Sequence, residues 1–322
     1  MLQPRWPSGG SAELAPAIFS LLRPKFALPS LVPGLIAFTI ARYHYGVSFT
    51  VDFLIAMLVI FLVASAGLVI NEYYDYELDL LANRTELPLV SGEVGLRTAR
   101  LLGYGLFLPA ILLAGLISIR AVAITLVASF LAIAYSAPPL RFKARAFLDS
   151  LTNGLTYGPV TMGLVFESLG LSARWAVVYS LPFLVLLSAG HMLLAVPTID
   201  EDLALGARTS AAFLGKERDI KVGMFLFAVS SLMVVAYCLL GYYPLPSLSF
   251  LPFMGYSILQ LRNWLMGRTG ERSSERWRRR SFSGLWHSCC PSSSEQLEHQ
   301  QSLSALPTTW VLGDGYERGR EG

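Results

Sequence analysis

Charge is scarce in this chain. Asp, Glu, Lys and Arg make up 15% of its 322 residues, whereas a soluble domain carries about a quarter. The deficit excludes an ordinary soluble domain and points to a polytopic membrane protein, as do a hydrophobic fraction of 54% and a mean hydropathy of +0.53. Cysteine is nearly absent. Cys238 lies in an apolar run, Cys289 and Cys290 are adjacent in a polar tail, and none has the spacing of metal ligands or of a disulfide framework. The N-terminal stretch has no basic region leading into an apolar core and cleavage site, so no signal peptide is expected. No nucleic-acid or protein partner is expected.

What the chain has is long apolar runs. A membrane span needs about 20 predominantly apolar residues, and eight runs qualify: 28–46, 51–70, 100–119, 121–137, 150–170, 175–197, 222–241 and 245–265. The third and fourth are separated by so little that they form a tight hairpin. The fifth holds Asn153, Gly154, Gly158, Pro159 and Gly163, small residues that allow helices to approach closely. The fold expected is an all-α, polytopic helix bundle.

Basic residues alternate between loops. Arg5, Arg23 and Lys25 precede the first run, and Arg84, Arg97 and Arg100 follow the second. Arg141, Lys143 and Arg145 follow the fourth, and Arg208, Lys216, Arg218 and Lys221 follow the sixth, against Arg42, Arg120 and Arg174 in the opposite loops. The positive-inside rule then places both termini in the cytoplasm of a multi-pass cell-membrane protein. It also puts every polar motif of the chain on one side.

The first of these motifs closes the second run. Asn71, Asp75 and Asp79 recur at intervals of four, so on a continuing helix they share a face. An amide and two carboxylates form an all-oxygen donor set suited to Mg²⁺. Arg84, Thr85, Pro88, Ser91 and Gly92 follow in a turn-rich loop, and an acidic row beside an Arg can hold a metal and a phosphate together. The second motif runs Tyr135-Ser136-Ala137-Pro138-Pro139-Leu140-Arg141-Phe142-Lys143. Its double proline ends a helix, and Arg141 and Lys143 emerge where an anion could be gripped or where they simply flank a span. The third, Pro197-Thr198-Ile199-Asp200-Glu201-Asp202 followed by Gly206, Arg208 and Thr209, repeats the plan of an acidic helix end before a Gly/Arg/Thr loop. Two such ends could face each other across a cavity. His191, beside Gly190, is either proton-active or hydrogen-bonded between helices, and Tyr73, Tyr74 and Tyr76 either line a cavity or form an interfacial aromatic belt.

From about Gly267 the character changes. A basic, Ser-rich stretch gives way to residues without periodicity, and 267–322 is expected to be a polar, disordered tail whose basic part could touch anionic lipid. The domain reading is therefore 1–22 as a cytoplasmic segment, 23–266 as the membrane domain and 267–322 as the tail.

These motifs resemble those of the UbiA-type membrane prenyltransferases. The family pattern of Asn and spaced Asp at the end of the second span, followed by Arg-Thr and Ser-Gly, is matched by Asn71, Asp75, Asp79, Arg84, Thr85, Ser91 and Gly92. Its Tyr-Ser-x-Pro-Pro-Leu-x-x-Lys segment is matched from Tyr135 to Lys143, and its second acidic pattern at Asp202, Gly206 and Thr209. The resemblance implies a bundle around a central cavity in which Mg²⁺, held by Asn71, Asp75, Asp79, Asp202 and also Asp200 if the helix unwinds, binds a prenyl diphosphate. It implies catalytic roles for Asp75, Asp79 and Asp202, and diphosphate contacts from Arg23, Lys25, Arg84, Arg141, Lys143 and Arg208. The reaction implied is prenyl transfer to a lipophilic acceptor in the membrane, either an isoprenoid or carotenoid or an aromatic quinone precursor.

Two departures from the pattern stand out. Thr198 occupies the position of the family's first Asp in the second acidic motif. Only eight spans are readable where the family has nine, and the missing one falls where the polar tail begins. A shifted reading frame or a truncated coding sequence would produce such a break. The alternatives are an inactive or truncated member of the family and a membrane transporter with ion-binding acids. The CDP-alcohol phosphotransferases, which also place Asp-x-x-x-Asp on a helix, require an upstream Asp-Gly-x-x-Ala-Arg that this chain lacks.

Overall fold

The computed structural model describes residues 11–81, 84–204 and 206–266. The described residues are helical and contain no strand, only one isolated parallel bridge between Arg145 and Arg208. The expected disordered tail lies outside the described residues.

Helix α1 (Ser11–Leu21) leads through two short turns into α2 (Val32–Tyr45). Next comes α3 (Val51–Leu81), which runs for 31 residues because its apolar stretch continues into the acidic row without a breaker. The Thr50 hydroxyl caps its start, accepting from the Phe53 N–H at 3.1 Å. Then follow α4 (Leu96–Gly105), α5 (Phe107–Ile117) and α6 (Ile119–Ser136). Ser118 caps α6 by accepting from the Ala121 N–H at 2.9 Å, which makes the turn after α5 tight.

The second half comprises α7 (Leu148–Leu155), α8 (Thr161–Ser168), α9 (Ala173–Ala195), α10 (Ile199–Ala204), α11 (Ser210–Leu214), α12 (Lys216–Leu239) and α13 (Leu251–Leu265). Helix α3 packs against α4, α5, α6 and α8, while α9 packs against α7, α8 and α12. A core of Phe53, Val59, Ile60, Met162, Val165 and Phe166 joins the two halves.

Six helical stretches are long and apolar enough to cross a membrane: Ala15–Tyr45, Val51–Leu81, Leu96–Ile117, Ile119–Ser136, Ala173–Thr198 and Lys216–Leu239. The other two expected spans are helical but interrupted. The run expected at 150–170 contains a five-residue π-helical segment, Thr156–Val160, around Pro159. Proline has no N–H to give the preceding turn, and the wider turn accommodates that loss. The run expected at 245–265 starts as a 3₁₀ turn, Leu245–Phe250, ahead of the 15-residue α13.

The first span also begins earlier than the sequence suggests. Ala17 and Leu21 are buried with Val69, Leu89, Val94 and Ala99, so α1 packs on the end of α3. A Cβ at Gly154 would lie 2.2 Å from Ser188 Oγ and 2.7 Å from the Leu184 carbonyl, so glycine is what lets α7 lie against α9. Gly154→Ala is expected to lower stability by about 1–3 kcal/mol, seen as a lower thermal midpoint in detergent; an unchanged midpoint would mean that the two helices separate freely.

Candidate active site

The three motifs converge at one end of the bundle. Asn71, Asp75 and Asp79 occupy the last turns of α3. The double proline ends α6, and the chain turns at Arg141, whose φ of 37° is left-handed, into a short 3₁₀ turn that carries Lys143 back towards α3. The Lys143 ammonium donates to Asn71 Oδ1 at 2.8 Å and to both Asp75 carboxylate oxygens at 2.6 Å. Ser136 donates to the same Asn71 oxygen at 3.0 Å. Arg141 Nη2 lies 3.8 Å from Asp75 Oδ1, while its buried Nε has no hydrogen-bond partner. Burial pulls the Lys143 ammonium below its ordinary pKa, and Asp75 pulls it back up.

One turn further, Asp79 is buried and paired with Arg84 at 3.1 Å. The Arg84 N–H also bonds the Asp79 carbonyl at 3.0 Å, so the loop leaves α3 already folded back on it. Arg23 acts electrostatically on Asp79 and on Glu72, and its guanidinium lies 4.6 Å over the Phe26 ring. Lys25, in the same turn, is exposed.

The third motif is held by its own threonines. Asp202 Oδ2 accepts from Thr209 Oγ1 at 3.0 Å and lies 3.5 Å from Thr198 Oγ1, whose hydrogen has a nearer acceptor in the Ala195 carbonyl at 3.1 Å. Thr198, in the turn just before α10, therefore lies on the side of Asp202, whereas Asp200 is exposed and lies off it, two positions away. A 3₁₀ turn at Val196–Thr198 follows Ala195, but it does not bring Asp200 round to Asp202. Gly206 has φ 69°, and with the Ala207 N–H on the Asp202 carbonyl it reverses the chain. The Arg208 side chain is exposed, and its N–H donates to the Ala144 carbonyl at 3.1 Å, tying the third motif to the second.

The structure thus brings Asn71, Asp75, Arg141 and Lys143 into one cluster, with Asp79 and Arg84 beside it. Among the described residues, no three Asp, Glu, His or Cys side chains gather into one metal-binding group. The expected ligands Asn71, Asp75, Asp79, Asp200 and Asp202 stand on two helices. They divide into an α3 set and an α10 set. The α3 set suits a hard cation, since its oxygens already surround the Lys143 ammonium.

Sequence reasoning missed three buried carboxylates, Asp219 and two beside the motifs. Glu72 is one residue from Asn71, about 100° round the helix, and its Oε1 accepts from the Leu89 N–H at 3.4 Å. Asp149 accepts from Ser210 across 61 positions. Neither stands in an acidic repeat, and nothing in local spacing marks them. His191 is hydrogen-bonded between helices, its Nε2 lying 3.1 Å from Tyr135 Oη. Tyr74 Oη lies 2.9 Å from Tyr104 Oη.

The sequence pattern described as the UbiA prenyltransferase family matches residues 30–285. A digeranylgeranylglyceryl phosphate synthase of Thermococcus sibiricus is 32% identical over 236 residues, covering 70% of this chain and 79% of its own. That of Methanothrix thermoacetophila is 29% identical over 185 residues, 57% of this chain and 64% of its own, so the match spans slightly less than two thirds of that relative. A UbiA homolog from Archaeoglobus fulgidus, solved with GPP and Mg²⁺, superposes with a TM-score of 0.63 at 20% identity, over 89% of this chain and 97% of that one.

Proposed function

The chain belongs to the UbiA prenyltransferase family, and on that premise we propose that it transfers a prenyl group from a prenyl diphosphate to a lipophilic acceptor inside the membrane. The observation that carries this reading is the interleaving of acids and cations on one helix face. Lys143 and Arg141 lie on Asp75, and Arg84 lies on Asp79.

Transfer breaks the C1–O bond of the prenyl diphosphate. Negative charge grows on the departing diphosphate and positive charge on the allylic carbon. The acceptor forms a bond to that carbon and gives up a proton. Lys143, Arg141 and Arg84 meet the growing negative charge, and the unpartnered Arg141 Nε is a donor available to a phosphate oxygen. Arg23 is placed to act on the same end of α3, while Lys25 and Arg208 stand exposed at its margin. Asn71, Asp75 and Asp79 would hold Mg²⁺ on one side and Asp202 on the other, where the ion would supply Lewis-acid stabilisation of the leaving group. Tyr73 packs edge to face on Tyr74, Tyr74 meets Tyr104, and Tyr76 packs against the cluster of Leu21 and Leu89, so these rings brace the end of α3.

The acceptor reading rests on the apolar interior. A cavity of about 210 Å³ between α2, α9, α12 and α13 is lined by Ile36, Ile40, Phe183, Val234 and Met254. The hydroxyls of its Thr39, Ser230 and Tyr243 are already bonded to the Leu35, Pro182 and Tyr179 carbonyls. The wall left over suits a hydrocarbon chain of an isoprenoid-like acceptor or of a membrane lipid. An eight-span bundle in the cell membrane with cytoplasmic termini fits the distribution of Lys and Arg.

Diphosphate release by purified protein in detergent tests the function, using a panel of prenyl diphosphates and a membrane lipid extract, with and without Mg²⁺. Mg²⁺-dependent release is expected; no release with any donor would overturn the proposal. The place of Thr198 on the face of Asp202 yields a second test. Thr198→Asp restores a paired-carboxylate spacing there. It is expected to lower the Mg²⁺ concentration for half-maximal release by about threefold or more, the effect of one added charged oxygen ligand. An unchanged Mg²⁺ requirement would show that position 198 faces away from the metal, and a collapse of activity would show that the motif's register is wrong.

A further inference from the structure

Asp149 is 1% exposed and lies between the second and third motifs. Its Oδ1 accepts from the Ser150 N–H at 2.7 Å and from the Ser210 hydroxyl, and its Oδ2 accepts from the Ser210 N–H at 2.8 Å. The Ser210 hydroxyl is used twice, since its oxygen also accepts from the Phe147 N–H at 2.8 Å. Phe147 has φ 66°, a left-handed value that L residues with a Cβ seldom hold. It is kept there by a bond to the very serine that Asp149 grips. Ser210 directly follows Thr209, the donor to Asp202, and Lys143 lies six residues before Asp149.

We propose that Asp149 is a positioning residue that locks the Lys143 segment to the Asp202–Thr209 segment and so sets the spacing of the diphosphate-gripping groups. The inference rests on the proposed function, because it assigns the two segments to one ligand. Three charge-assisted bonds to one buried carboxylate make a stiff joint, and the Arg208 N–H on the Ala144 carbonyl, at 3.1 Å, closes the same joint from the other side. Lys143 is spent on Asn71 and Asp75, and Thr209 on Asp202. A shift of the joint therefore moves one acidic set relative to the other. A displacement of about 1 Å in such a site is costly even when the reacting groups are intact.

The test is isothermal titration of the full chain in detergent with inorganic pyrophosphate in the presence of Mg²⁺, with the thermal midpoint read alongside. Asp149→Ala is expected to weaken pyrophosphate binding about tenfold or more. Asp149→Asn keeps an acceptor oxygen for the Ser210 N–H and is expected to recover most of the affinity. If Asp149→Ala lowers the midpoint but leaves the affinity unchanged, Asp149 is only a brace of the fold and the proposal is overturned. A natural chain that fails to bind pyrophosphate would remove the proposed function instead. In that case spin labels at positions 145 and 203, both exposed, still decide on Asp149. Asp149→Ala broadens their distance distribution if the joint is real and leaves it unchanged if it is not.

Discussion

Asp75→Ala releases diphosphate about 10²–10³-fold more slowly than the natural chain, the usual effect of removing one preorganised electrostatic group from a reaction centre. Asp75 is the most connected acid of the site: both its oxygens accept from Lys143 at 2.6 Å, and Arg141 stands 3.8 Å away. Its loss removes the middle oxygen donor of the α3 row and frees the ammonium that it aims. The side chain is 21% exposed and lies outside the apolar core, so the variant should insert and purify as the natural chain does. Rate and size-exclusion profile are read together. Natural activity in a well-folded Asp75→Ala protein would remove the assignment of the α3 row.

Lys143→Met is expected to fall nearly as far, about 10²-fold in kcat/KM for the prenyl diphosphate. Methionine fills a similar volume without the charge, so the cost is electrostatic and not steric. Lys143→Arg should not rescue it. The ammonium offers three donors from one point, and the structure uses all three, one on Asn71 Oδ1 and two on Asp75. A planar guanidinium spreads its donors over a fork and cannot converge on those oxygens. Steady-state kinetics of the two variants side by side check this. An Arg variant with natural kcat/KM would show that only the net charge matters there.

Much of this was legible in the chain. Apolar runs of span length mark α3, α6, α9 and α12 because a helix in lipid must be apolar all along. The row Asn71, Asp75, Asp79 is legible because helical periodicity turns spacing into a shared face. The chain also signals the stop after α6 through Pro138 and Pro139. What is not legible depends on partners distant in sequence. The packing of α1 on Val69 and Leu89 joins segments about fifty residues or more apart. The Asp149–Ser210 junction joins positions 61 apart through an ordinary Asp-Ser and an ordinary Thr-Ser. Periodicity says which way a residue faces, but not what it meets. The exposure of Asp200 follows the same logic in reverse: its acidity is visible in the sequence, and its orientation is decided by where the 3₁₀ turn at Val196–Thr198 leaves the helix.

The pairing of Lys143 with Asn71 and Asp75 has a consequence for biogenesis. The acids are synthesised first, and their cation follows 68 positions after Asp75. Ribosomes add about 5–20 residues per second, so the nascent α3 spends several seconds with Asp75 unanswered, although Asp79 already has Arg84 five residues on. During that interval water and headgroups at the membrane surface have to solvate the Asp75 carboxylate, which keeps the C-terminal turns of α3 at the interface. The arrival of the 142–144 turn then neutralises the row, and the completed helices can close over it. The charge pair that prepares the pocket for its ligand thus forms only once α6 and the turn after it have been made.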